Sequence, residues 1–317
     1  MKLVFTFPGQ SSREPQMVGR AFAMAPAVAA DVFGHASEVL HRDLRAHYMD
    51  DNPSQFASNR DIQLGVFLVN HVHMCALETA GVTADLSLGL SLGEYNHVVH
   101  IGALDFPDAV RLVDERGRLY SEGPEGAMVA IFPVEFDELA PLIEEASAVG
   151  PIGVAVAGSP TQTVVAGCRE ALDHLTQRVD DELFAECVFI EDRVPMHVAL
   201  FAPVADVLSP VLGSVPWKEA TKPYLPNVVG EFVVQNGPST YVEPLVQHVC
   251  ESVRWRQSID FLMARFDDLA FVEVGPKTAL TNLLSPKWHA VRRFHTDHHS
   301  DPDGFANLVS ELIGGSC

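Results

Sequence analysis

The pentapeptide Gly89-Leu90-Ser91-Leu92-Gly93 fits the pattern GxSxG. It sits between Asp85 to Leu90, which reads as a short buried strand, and Leu92 to Ile101, which reads as a helix. A strand that turns sharply into a helix needs glycine where neighbouring backbones close up, and the turn lifts the serine hydroxyl clear. The following amide, that of Leu92, then stands at a helix N-terminus, where a developing oxyanion is stabilised. The chemistry implied is attack by Ser91 on a carbonyl carbon. The plain alternative is a glycine-rich turn.

A serine nucleophile needs a base, and the chain has 14 histidines. Late positions such as His289 and His295 suit an order in which the histidine follows the serine by a long interval. His197 is the other candidate: Pro195 ends the segment before it and a helix, Val198 to Leu212, begins after it. A histidine there either faces a cleft or lies at a helix end in solvent. Arg116 is conspicuous for a different reason. In the helix Phe106 to Tyr120 the apolar stripe runs Ala109, Leu112, Val113, then Arg116, then Leu119 and Tyr120, which points the guanidinium inward. An inward cation must be paired, either by a protein carboxylate or by the carboxylate of a bound substrate. Neither His71, His73 and Cys75 nor His295, His298 and His299 has zinc spacing, so no metal site is expected.

The elements around these residues are α/β in character. Lys2 to Phe7 is a buried strand ending at Pro8-Gly9, Ile62 to Thr79 a long apolar helix, and Leu269 to Val274 a further buried strand ending at Gly275-Pro276. Between them the texture changes. Met128–Phe132, Ile152–Ala157, Gln162–Ala166 and Ala185–Ile190 read as strands, with helices Phe136–Ala148 and Glu170–Asp180 in the order βαββαβ. That order is the ferredoxin-like split unit. The predicted division is a parallel-sheet core from 1–126 and 193–317, with a small subdomain at 127–192 inserted in it.

Composition narrows the class. The 317 residues are 47% hydrophobic and 20% charged, enough for a large core without disorder. The formal charge of −21 opposes binding to nucleic acid or to an anionic membrane, and no apolar run approaches a membrane span. Five cysteines, Cys75, Cys168, Cys187, Cys250 and Cys317, include no CxxC pair, which reads as a reducing, cytoplasmic setting.

Taken together the motifs resemble the malonyl-CoA:acyl-carrier-protein transacylases and the acyltransferases of polyketide synthases. Phe7-Pro8-Gly9-Gln10-Ser11-Ser12 is similar to FPGQGSQ, and Gly89 to Tyr95, GLSLGEY, to GHSLGEY. The likeness continues through Ala109 to Gly117, Gly126-Ala127-Met128, Ser159 to Gln162, His197 and Glu273 to Pro276. The resemblance implies an α/β-hydrolase-like core with a ferredoxin-like insert and a ping-pong acyl transfer. Ser91 would be the nucleophile and His197 the base, with the amides of Gln10 and Leu92 as the oxyanion hole. Arg116 would clamp the free carboxylate of a malonyl unit beside Gln63. No bound cofactor is implied. The substrates are a coenzyme A thioester and the phosphopantetheine thiol of an acyl carrier protein, and a monomer is expected.

Some positions depart from that pattern. Leu90 stands where histidine is usual, Tyr120 where methionine is common, Gly158 where asparagine is usual, and Met196 lies in VPMH rather than in either common selectivity motif. These leave the acyl group open. Glu251 is expected to support His197 by backbone or side chain. Because both enzyme and carrier are acidic, docking falls to local cations: Arg254, Arg256, Lys287, Arg292 and Arg293. Three other readings compete: a transferase moving an unusual acyl or aminoacyl unit between carriers, an acyl hydrolase or esterase, and a carrier-binding scaffold without catalysis. Arg116 disfavours a hydrolase of uncharged chains, and the presence of both Ser91 and His197 disfavours the scaffold.

Overall fold

In a computed structural model the chain is described at residues 1–49, 52, 54–284, 291–298 and 303–314. Lys287, His289, His299 and Cys317 lie outside the described residues. The chain opens with β1 (Lys2–Phe7), a 3-10 turn (Gln10–Ser12), α1 (Met17–Met24), α2 (Pro26–Leu40), α3 (Leu44–His47), α4 (Asn59–Thr79), β2 (Leu86–Gly89), α5 (Gly93–His100) and α6 (Phe106–Ser121). It continues with β3 (Ala127–Phe132), α7 (Phe136–Ser147), β4 (Ile152–Ser159), β5 (Gln162–Gly167), α8 (Arg169–Glu182) and β6 (Glu186–Glu191). A second 3-10 turn (Ala199–Phe201) leads into α9 (Ala202–Ser214), α10 (Ser239–Cys250) and α11 (Trp255–Arg265). After these come β7 (Leu269–Glu273), α12 (Ala279–Leu283), β8 (Arg292–His295) and α13 (Gly304–Gly314).

These elements form two compact units. One holds Met1–Arg118, Pro216–Tyr224 and Phe266–Cys317; the other holds Leu119–Val215 and Leu225–Arg265.

The first unit is built on a parallel sheet in the order β2-β1-β7-β8. Phe7 of β1 lies opposite Gly89 of β2, and Thr6 opposite Glu273 of β7, so three strands end side by side. The chain runs to β2 on one side of β1 and to β7 on the other. The crevice beyond such a switch point is where open α/β sheets place their ligands. Phe5, Phe7, Leu77, Val82, Val272 and Leu308 pack the core beneath. The edge strand β8 was not expected, because Arg292-Arg293-Phe294-His295 has none of the apolar continuity of a buried strand; an edge position tolerates those charges. Helix α4 begins one turn before the predicted Ile62. Ser58 accepts from the Asp61 amide at 3.1 Å and caps a polar first turn that periodicity alone does not register.

The second unit holds an antiparallel sheet in the order β4-β5-β3-β6. Alternate residues of β3, Ala127, Val129 and Ile131, face Leu139 and Leu142 of α7 and Leu172, Leu175 and Val179 of α8. On the outer side of β4, Val253 pairs with Val156, and the Val253 amide donates to the Ala155 carbonyl at 2.9 Å. The helix predicted from Val198 instead starts as the 3-10 turn, because Val198 is extended (φ −137°) and Pro203 suits only a first helical turn. The fold is thus α/β, with a parallel and an antiparallel sheet among the described residues.

Candidate active site

Ser91 lies in the first unit, between β2 and α5, at φ 53°, a left-handed conformation that a serine adopts only when its surroundings impose it. Two close approaches impose it. A Cβ on Gly89 would stand 2.0 Å from the carbonyl of Gly93, and one on Gly93 would stand 2.0 Å from the Phe7 carbonyl oxygen. Only glycine lets β2 fold this tightly onto α5 while α5 rests against the end of β1. The amides of Gly93, Glu94 and Tyr95 donate to the carbonyls of Leu90, Ser91 and Leu92, so the helix is hydrogen-bonded from its first turn. Leu90 is half-buried, and its amide is held by the Phe7 carbonyl at 2.9 Å. The loop after β1 reaches the same place: a Cβ on Gly9 would lie 3.5 Å from the Ser91 Cβ. Gln10, the next residue, is buried at 5% exposure.

Arg116 is fully buried, as its helical spacing predicts. Its Nη1 donates to Gln63 Oε1 on α4, and its guanidinium lies 5.1 Å from the ring of Tyr95 on α5. Gln63 is itself oriented, since its Nε2 donates to Asn59 Oδ1 at 2.9 Å. The close contact of α6 with α4 depends on Gly117, where a Cβ would come within 2.6 Å of the Arg60 Cα. Two residues before Arg116, on the opposite side of the helix, Asp114 accepts from Arg60 Nε at 2.7 Å and from Arg42 Nη1 at 3.3 Å, which locks α6 to α4. The site therefore holds a buried guanidinium that is oriented by an amide oxygen and lies against the helix that follows Ser91.

His197 lies in the second unit at φ 65° and is 1% exposed. Its amide donates to the Val249 carbonyl at 3.0 Å, and its ring stacks on His248 with centroids 4.7 Å apart. Nδ1 meets the His248 carbonyl at 2.6 Å. A carbonyl only accepts, so Nδ1 carries the proton and Nε2 keeps the basic lone pair. The carbonyl that orients the imidazole is therefore that of His248, and this corrects the expectation placed on Glu251. Glu251 sits exposed at the C-cap of α10, where the chain has already turned extended (φ −121°) and carries its carboxylate outward.

A family model described as an acyl transferase domain matches residues 4–296. The chain belongs to that acyl transferase family. Among relatives, the malonyl CoA-acyl carrier protein transacylase of Bacillus subtilis (strain 168) is 28% identical over 315 residues, 98% of this chain and 97% of the relative. Among solved structures, the malonyl CoA-acyl carrier protein transacylase of Clostridium perfringens superimposes with a TM-score of 0.89 at 26% identity, covering 100% of this chain and 98% of that one. A type II PKS acyl-carrier protein in complex with its malonyl-transacylase matches with a TM-score of 0.89 at 26% identity, covering 99% and 100%.

The remaining predicted residues of this acyltransferase fall as follows. Tyr120 and Met196 are buried in the second unit, where Tyr120 packs edge-on against Phe201 at 4.9 Å. Arg254 is exposed beside the buried Trp255, Arg256 lies 3.6 Å from Asp260, and Arg292 and Arg293 are exposed on β8 in the first unit. His295 stacks on His298 at 4.7 Å. Among the described residues no group of His, Cys, Asp and Glu is arranged to hold a metal ion, and no helix is long and apolar enough to cross a membrane.

Sequence reasoning missed a buried polar seam on α5. Lys222 Nζ lies 3.1 Å from His100 Nε2, and Ser87 Oγ lies 2.7 Å from both His100 Nδ1 and His97 Nδ1. An ammonium only donates, so His100 accepts at Nε2 and donates from Nδ1 to Ser87, which in turn donates to His97. Burial pushes both imidazoles down to about 3, so the seam is neutral apart from its lysine. Beside it the Tyr224 hydroxyl donates to the buried Glu94 at 2.7 Å. The signal was in the chain: Glu94, Asn96, His97 and His100 crowd one short helix that must be inside.

Proposed function

We propose that the chain transfers a malonyl group from coenzyme A to the phosphopantetheine thiol of an acyl carrier protein, in fatty acid or polyketide assembly. Ser91 Oγ attacks the thioester carbonyl while its proton passes to Nε2 of His197. The tetrahedral oxyanion takes hydrogen bonds from the amides of Gln10 and Leu92, the C–S bond breaks, and the proton returns to the departing thiolate. The carrier thiol then reverses the sequence on the acyl-Ser91 ester. Arg116 and Gln63 hold the distal carboxylate, with Leu90, Tyr120 and Met196 shaping the acyl pocket. No resident cofactor takes part.

One observation carries the reading: a fully buried arginine, oriented by a buried amide, stands against the helix that follows a strained serine. A guanidinium binds a carboxylate through paired charge-assisted hydrogen bonds, which are strongest away from water, and a malonyl unit carries such a carboxylate. The relatives named above support the donor and the acceptor. The first unit's parallel sheet supports an α/β-hydrolase-like core, and the strand order β4-β5-β3-β6 with two helices on one face supports a ferredoxin-like insert at 127–192; the compact unit that holds this insert is wider, spanning Leu119–Val215 and Leu225–Arg265. We assign docking of the acidic carrier to Arg254, Arg256, Lys287, Arg292 and Arg293, and read the enzyme as a cytoplasmic monomer.

The test is to incubate the protein with malonyl-CoA and map the modified peptide by mass spectrometry. A malonyl group on Ser91, discharged on adding holo carrier protein, is the expected result. No adduct would overturn the reading, and release to water as fast in the absence of carrier as in its presence would favour the hydrolase.

A further inference from the structure

The two backbone donors assigned above to the oxyanion belong to segments far apart in the chain, the loop after β1 and the start of α5. Their spacing has to be fixed by something other than local sequence. A pair of fully buried asparagines bridges them. Asn70, on α4, donates from Nδ2 to the Pro8 carbonyl at 3.0 Å and, with its second hydrogen, to Asn96 Oδ1 at 3.0 Å. Asn96, on α5, donates from its own Nδ2 to the Phe67 carbonyl at 3.0 Å. Each amide has a single workable orientation, because reversing Asn70 would set its oxygen against two other oxygens.

The consequence for Gln10 follows from peptide geometry. The Pro8–Gly9 peptide is clamped by Asn70, and the Gly9–Gln10 peptide, which carries the Gln10 amide, is clamped by the Ser12 amide donating to the Gly9 carbonyl at 3.0 Å. Between the two clamps lies Gly9, the residue with the widest choice of φ and ψ. Without the first clamp the second sets only the turn's internal shape and not its place relative to α5. Asn70 Oδ1 also fills the space beside Gly275, where a Cβ would come within 2.1 Å, so the amide is wedged between the ends of β1 and β7.

We infer that Asn70 and Asn96 are positioning residues for this acyltransferase: through the Pro8 carbonyl on one side and α5 on the other, they set the separation of the Gln10 and Leu92 amides. The inference rests on the proposed acyl-serine mechanism. It makes the pair matter to the transition state more than to substrate binding, since donors held for an oxyanion act only once the carbonyl has become tetrahedral.

The experiment is single-turnover acylation of Ser91 by malonyl-CoA in the wild type, Asn70→Ala, Asn96→Ser, the double variant Asn70→Ala with Asn96→Ala, and Leu77→Ala as a core variant with comparable loss of melting temperature. The expected result is a fall of about 30-fold or more in the acylation rate for Asn70→Ala. Apparent affinity for malonyl-CoA should stay within about threefold because Arg116 and Gln63 are untouched. The double variant should be no slower than Asn70→Ala, as expected of one connected unit. Asn96→Ser, which keeps a hydroxyl acceptor on α5, should fall between wild type and Asn70→Ala, and it carries the test if Asn70→Ala does not fold. Equal acylation rates in Asn70→Ala, or in Asn96→Ser where Asn70→Ala does not fold, and Leu77→Ala at matched folded fraction would overturn the inference. A wild type that never acylates Ser91 would overturn the function beneath it instead.

Discussion

Ser91 and His197 both sit at positive φ, 53° and 65°, yet the two corners of the molecule hold them by different means. Around Ser91 the restraint is steric and polar at once. Glycines admit backbones that no Cβ would allow, and a buried seam of Asn, His, Ser, Lys, Tyr and Glu side chains fastens α5 to its neighbours. Around His197 the restraint is largely main chain: an amide to Val249, a ring nitrogen to the His248 carbonyl, and a stacked ring. The first corner is sensitive to side-chain identity at many positions, whereas the second is sensitive mainly to the path of the backbone.

The largest test removes the reacting groups. Ser91→Ala and His197→Ala should each lower carrier loading by about 10⁴-fold or more, and the double variant should cost no more than the worse single one if they act as a unit. Additive losses in a radiolabelled transfer assay would separate the two corners functionally. Arg116→Ala should lower malonyl transfer by about 10²- to 10³-fold while leaving transfer of an uncharged acyl group intact or faster, since a buried charge-assisted contact is lost only for the charged donor. Equal losses with acetyl-CoA and malonyl-CoA would show that Arg116 is structural.

Acid is the next lever, and it acts on the serine side. Burial holds His71 and His97 down to about 3, His100 to about 3 and His73 to about 4, so the unfolded chain binds protons below about pH 6.5 that the folded one refuses. Stability should therefore fall as pH drops from 6.5, by about 1.4 kcal/mol per pH unit for each group at the steepest. Glu273 works the other way. Burial raises it to about 7, so its contribution grows as pH falls through 7 towards 4.5. Four groups against one predict a net loss of a few kcal/mol between pH 7 and pH 5, read by urea denaturation. A flat profile would mean that the seam accepts protons.

The smallest effect is expected at Glu251. Glu251→Ala should leave the transfer rate within about twofold, because the imidazole is held by a carbonyl that no side-chain substitution removes. His248→Ala, which keeps that carbonyl and deletes the stacked ring, should cost more than Glu251→Ala but far less than His197→Ala. The reverse order would shift the support of the imidazole from backbone to side chain.

The serine corner was largely legible because its determinants are local. GxSxG between an apolar run and a helix states the turn, the glycines and the serine at its apex within five residues. The inward Arg116 followed from helical periodicity, and the βαββαβ order over 127–192 followed from short apolar runs alternating with helical stretches. What stayed hidden depends on residues distant in the chain. The His248 carbonyl meets a ring 51 positions away. Asn70 meets Pro8 across 62 positions and Asn96 across 26, and Lys222 meets His100 across 122. Backbone carbonyls carry no residue identity, and buried amides look like surface amides until a neighbour is in place. Residue types and their spacing were enough to name the groups that could react and the faces that had to be buried. Which distant polar group satisfies each buried one is a matter of the folded packing, because packing and desolvation have no local period.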